Sequence, residues 1–151
     1  MSEVVNNIFF SLEYRHGVDE KRRVSIPSAW RANEEGETTF YLFLWDKAGT
    51  RPCLMVLPPS GVADLMERLK KLPFSSAESE ALRRLLGRSA KVVVDKAGRI
   101  ILPDQLAKAA HIEKDVVLKG MLDRFQIWNP KYHDEVAAND EALKAKAIDL
   151  I

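Results

Sequence analysis

The stretch VDEKRRVSIP, running from Val18 to Pro27, recurs as VDKAGRIILP from Val94 to Pro103. Val18, Asp19, Arg23 and Pro27 coincide with Val94, Asp95, Arg99 and Pro103 at a constant offset of 76 positions. Between them, Val24 and Ile26 meet the apolar residues Ile100 and Leu102, and Lys21 nearly meets Lys96. Matches of this density identify an internal duplication, so the chain is read as two copies of one small unit.

Working outward, each copy repeats the same plan. Pro27 and Pro103 follow apolar strand residues and suit a first helical turn, where a fixed φ helps and no amide proton is lost. Ser28 to Arg31 and Asp104 to Ala110 supply the helix formers, with Gly36 ending the first helix. Two apolar strands then follow in each copy, TFYLFLW with CLMVL and DVVLKG with FQIW, each pair joined by a turn. Each copy closes on proline, at Pro58/Pro59 and Pro130.

Between the copies, Ser60 caps a helix carrying Val62, Leu65, Met66, Leu69 and Leu72 on one face. A capping-box pattern at Ser75 and Glu78 starts a second helix through Leu82, Leu85 and Leu86, which Gly87 stops in a left-handed conformation. The expected organisation is a first repeat over 8–59, a helical spacer over 60–88, a second repeat over 89–130 and a peripheral helical tail over 131–151. A unit of roughly 45 residues buries too little core alone, so each copy is expected to pair with its sister. Their strands would join into one closed, edge-free sheet under pseudo-twofold symmetry.

Composition narrows the function classes. The 151 residues are 46% hydrophobic and 30% charged with a formal net charge of +1, so any polyanion contact must come from a local patch. Arg15 to Arg31 carries a net +3, whereas Lys131 to Ile151 carries −2. No apolar run spans a membrane, and MSEVVNNIFF lacks a basic segment ahead of a cleavable apolar stretch, which predicts a cytoplasmic protein. Cys53 is the single cysteine, and His16, His111 and His133 are scattered, so neither a disulfide nor a metal site is expected. No GxSxG, P-loop, metal-binding or dinucleotide motif is present, so no catalytic residues, no enzyme activity, no cofactor and no small-molecule substrate are expected. Trp30, Trp45 and Trp128 read as core or interface anchors, and Cys53 as a small buried hydrophobe.

The doubled DxxxR segments, Asp19 to Arg23 and Asp95 to Arg99, resemble the paired motifs of the MraZ family. That family consists of bacterial regulators in the AbrB-like, swapped-hairpin superfamily. The resemblance runs from about Ile8 to about Asn129 and includes LRRLLGRSA at Leu82 to Ala90. It implies an α+β fold, a duplicated AbrB-like swapped-hairpin β-barrel with peripheral helices, assembled as a ring-like homo-oligomer. It implies a nucleoid-associated protein that binds double-stranded DNA at repeated promoter elements and represses the division and cell-wall gene cluster. The carried-over residues are Asp19, Arg23, Asp95 and Arg99, with Lys21 and Lys96 as auxiliaries. Two positions depart from the family pattern. Arg22 stands where glycine is usual and Gly98 keeps it, so the first loop either strains, turns differently or gains a phosphate contact through Arg22. Leu12 likewise occupies a glycine position after Phe10 and Ser11.

Physical chemistry divides the labour within the motif. Arg15, Lys21, Arg22, Arg23, Lys96 and Arg99 are assigned to DNA, because guanidinium forks match phosphate and lysines act as point charges. Asp19, Asp95 and Gly98 are assigned to shaping the loops, since a carboxylate repels phosphate but can accept loop amides and brace an arginine. An isolated turn of this kind is ordinarily a solvated ion pair; its duplication is what marks it as functional. The competing assignment is an antitoxin-like protein-interaction module of the same superfamily.

Overall fold

Strands β3 (Thr39–Trp45), β4 (Cys53–Leu57), β7 (Asp115–Gly120) and β8 (Phe125–Trp128) occupy the four apolar segments singled out by their patterning. The computed structural model describes residues 8–31, 37–47 and 49–151, so Gly36 itself lies outside the described residues, but the helix expected to run toward it is a single 3-10 turn, Ser28–Trp30, after which Arg31 is already extended. The remaining strands are β1 (Glu13–Gly17), β2 (Arg23–Ser25), β5 (Ala90–Val93) and β6 (Arg99–Ile101). The helices are α1 (Pro59–Lys70), α2 (Ala77–Gly87), α3 (Asp104–Ala109), α4 (Pro130–Asp140) and α5 (Lys144–Asp149), giving a mixed α+β chain.

All pairings are antiparallel, in a six-stranded sheet ordered β1-β7-β8-β4-β3-β5 and a separate ribbon of β2 with β6. The register repeats as the sequence does. Arg15 pairs with Val117, and the residues 76 positions away, Lys91 and Tyr41, pair in turn. In the ribbon, Val24 lies directly opposite Ile100, its own counterpart, so a local twofold passes through that pair. Each copy's hairpin, β3 with β4 or β7 with β8, is thus flanked at one end by an edge strand of the other copy, so both build one shared core.

Period-two alternation distributes the side chains. The inner face of the sheet presents Phe40, Leu42, Leu54, Val56, Val116, Leu118, Phe125 and Ile127 to a core shared with Val24 and Ile100 of the ribbon. Trp30 lies fully buried among Phe10, Tyr14 and Phe125, and its Nε1 donates to the Ser11 carbonyl at 3.1 Å. On the outer face, α1 covers Phe43, Met55 and Leu57 with Val62 and Leu65, while α4 covers Cys53, Val117 and Trp128 with Tyr132 and Val136. β4 is therefore buried on both faces.

Four expectations need correction. The strands do not close into an edge-free barrel: β2 and β6 pair with each other, leaving β1 and β5 as the edges of an open sheet. The chain leaves each edge strand through a tight turn, which ends the ladder before the ribbon begins. Those edges are guarded by Glu13, Arg15 and Lys91. Helix α1 starts at Pro59, so Ser60 lies inside it, and the cap of α2 is Ser76, whose hydroxyl accepts from the Ser79 amide at 3.1 Å. Gly87 remains helical, because Gly49 and Gly98 are the glycines with positive φ among the described residues. The tail is bent into α4 and α5, of which α4 buries His133 and α5 is exposed. Among the described residues, no helix is long and apolar enough to cross a membrane.

Candidate nucleic-acid interface

Asp19 and Asp95 each fold the chain around one carboxylate. Asp19 Oδ1 accepts from the Lys21 and Arg23 amides at 2.9 and 2.8 Å, and its Oδ2 accepts from Arg23 Nε at 2.7 Å. Asp95 repeats the pattern with the Ala97 and Arg99 amides, both at 2.9 Å, and Arg99 Nε at 3.1 Å. The Arg23 amide at Asp19, and the Arg99 amide at Asp95, hold both carboxyls below their ordinary value and keep them ionised. In each braced arginine the aspartate occupies Nε, and the side chain remains partly exposed.

Both loops adopt one backbone. The Arg22 amide donates to the Asp19 carbonyl at 3.0 Å and the Gly98 amide to the Asp95 carbonyl at 2.9 Å. Arg22 has φ 64° and Gly98 φ 81°, so the first loop keeps the left-handed turn despite losing its glycine. Leu12 does the same with φ 71°. The carbonyls of Arg22 and Gly98 accept from the amides of Leu102 and Ile26, each at 2.8 Å, which locks both loops to opposite ends of the ribbon.

Alternation along the ribbon then decides where the arginines go. Val24 and Ile100 point into the core at 0% exposure, so Arg23, Ser25, Arg99 and Ile101 share the opposite, outward face. Arg23 and Arg99 are 27% and 32% exposed, partly sheltered by their braces yet open to solvent. They lie on the same side of the scaffold.

The other expected contacts are placed differently. Lys21 and Lys96 are exposed in the loops. Arg22 reaches Asp104 at the start of α3, at 2.6 Å. Arg15 is tied to Asp134 of α4 at 2.8 Å and belongs to neither loop. Arg31 was not assigned from sequence, yet its guanidinium lies across Gly98: a Cβ built there would sit 2.7 Å from Arg31 Cζ. The signal was the retained Gly98 itself, because the counterpart of Arg31 in the second copy is the buried Ala107. Among the described residues no group of three His, Cys, Asp or Glu is placed to hold a metal.

Comparison with known proteins bears on this arrangement. Residues 85–150 match the family model described as "MraZ protein, putative antitoxin-like". A Clostridium tetani protein named transcriptional regulator MraZ is 39% identical over 82% of this chain and 83% of its own length. Proteins of the same name from Moorella thermoacetica and Heliobacterium modesticaldum are 34% and 37% identical, each over 93% of this chain and 97% of their own. The relatives define a transcription regulator. The chain belongs to the MraZ family.

Proposed function

We propose that the protein is a sequence-specific DNA-binding regulator that seats the Asp19–Arg23 and Asp95–Arg99 loops on double-stranded DNA. The observation that carries this reading is the placement of Arg23 and Arg99 on one outward face of a two-stranded ribbon, related by a local twofold. Lys21 and Lys96 add phosphate contacts from the loops, Arg22 does so once DNA displaces Asp104 from it, and Asp19, Asp95 and Gly98 hold the loops. Arg15 joins them only if DNA displaces Asp134.

On this reading the chain is a duplicated swapped-hairpin unit, with repeats over 8–59 and 89–130, a helical spacer over 60–88 and a tail over 131–151. The matched registers of β1 with β7 and of β5 with β3 support it. The protein acts in the cytoplasm at the nucleoid, as a ring-like homo-oligomer on repeated promoter elements, and represses the division and cell-wall gene cluster. It needs no cofactor and acts on no small-molecule substrate. Light scattering tests the assembly, with a monomer as the contrary result.

A fluorescence-anisotropy titration tests the function. The duplex immediately upstream of the protein's own coding sequence should bind tighter than a scrambled duplex of equal composition. Equal affinity for both refutes sequence-specific regulation. The description of the family model favours one second reading, an antitoxin-like module. A stoichiometric protein partner together with absent DNA binding decides for that reading.

A further inference from the structure

The two arginines do not account for the whole outward face of the ribbon. Ser25 and Ile101 complete it, with Arg23 opposite Ile101 and Ser25 opposite Arg99. Ile101 is 60% exposed, whereas its neighbour Ile100 is fully buried. An exposed β-branched side chain set beside a braced arginine contributes nothing to the core of this fold. It gains from burial only when the ribbon meets a partner.

We infer that Ser25 and Ile101 are the base-reading side chains of the ribbon, and that Ile101 selects a thymine methyl in one half of the bound element. The inference rests on the DNA-binding reading and deepens it. Paired strands lie about 4.8 Å apart and same-face residues about 7 Å apart along a strand, so these four side chains fit a major groove roughly 12 Å wide. The cationic loops at both ends of the ribbon then fall toward the phosphates that wall the groove. A serine hydroxyl accepts or donates to several base edges, whereas an aliphatic side chain in the groove meets one distinctive apolar feature, the C5 methyl of thymine.

Ser25 and Ile101 are counterparts at the 76-residue offset, so the local twofold exchanges a polar reader for an apolar one. The bound element is accordingly a broken palindrome. One half demands thymine at the step under Ile101, and the other tolerates several bases under Ser25. The first and second copies have diverged at the position that reads sequence while keeping the arginines that grip the backbone.

Selection from a randomised duplex library, read by sequencing, tests this with wild type, Ile101→Ser and Ser25→Ile. Both side chains are exposed, so both variants keep the fold. Wild type should enrich asymmetric elements. Ile101→Ser should lose the thymine preference in one half, and Ser25→Ile should acquire it in the other. Replacing that thymine by uracil in a selected duplex should weaken wild-type binding about fourfold, the worth of one buried methyl-sized group, and leave Ile101→Ser unaffected. Unchanged base preferences in both variants overturn the inference while leaving DNA binding standing. A change in oligomer size without a change in preference also overturns it, by making Ile101 a contact between copies. Failure of wild type to enrich any sequence removes the underlying reading as well.

Discussion

Substituting Gly98 by alanine separates two costs that the fold combines at one position. Gly98 has φ 81° and faces the Arg31 guanidinium, whereas Gly49 has nearly the same φ, 84°, with nothing within 4 Å of an added Cβ. Gly49→Ala therefore measures the left-handed backbone term alone, about 1–2 kcal/mol. Gly98→Ala adds the displacement of Arg31. Because the obstacle is the far end of a flexible side chain, the addition is the cost of an unfavourable rotamer, about 0.5–1.5 kcal/mol. Arg31 Nε is buried without a hydrogen-bond partner among the described residues, so moving it breaks no identified bond there. Urea unfolding followed by tryptophan fluorescence should rank Gly98→Ala below Gly49→Ala by that increment. The excess should vanish in an Arg31→Ala background, since a double-mutant cycle isolates the pair. An excess that survives Arg31→Ala, or no excess at all, refutes the reasoning.

Burial pushes the Cys53 thiol up to about 12, so iodoacetamide at pH 8 should leave it intact in the folded protein and alkylate it in denaturant. Rapid native alkylation contradicts the packing of Cys53 beneath α4. Asp19 and Asp95 have folded values below the ordinary 3.8, so their bracing is complete above that value and is lost as pH falls through the depressed one. Carboxyl NMR titration should place both midpoints under 3.8, and a midpoint above it removes the amide contacts. Ile100→Ala should cost about 2–5 kcal/mol in urea unfolding, because the ribbon is anchored through Ile100 and Val24. A loss below about 1 kcal/mol would show that the ribbon does not rest on the sheet.

The repeat made much of this architecture legible. Four strands fell on the apolar segments read from the sequence, and the 76-residue offset reappeared in the register of β1 with β7 and β5 with β3. Closure was not legible, because whether two three-residue strands join a sheet or pair apart is decided by the turns that precede them. Caps slipped by one residue where serines cluster, at Ser75 and Ser76, since neighbouring hydroxyls are equivalent in sequence. The loop residues Asp19, Arg23, Asp95 and Arg99 came together as read, because their contacts are local. Arg15 did not, because its partner Asp134 is 119 residues away and no motif links them. The left-handed turn at Arg22 was visible only as a choice between alternatives, and the shared geometry of both loops resolved it.

Salt dependence tests the central claim most directly. For Arg23→Ala/Arg99→Ala on the same promoter duplex, the slope of log affinity against log salt should be shallower than wild type by about 1.8 per chain, two phosphate contacts at 0.9 each. Circular dichroism should be unchanged, since both side chains point out of the core. An undiminished slope with undiminished affinity would mean that the outward face of the ribbon does not meet DNA.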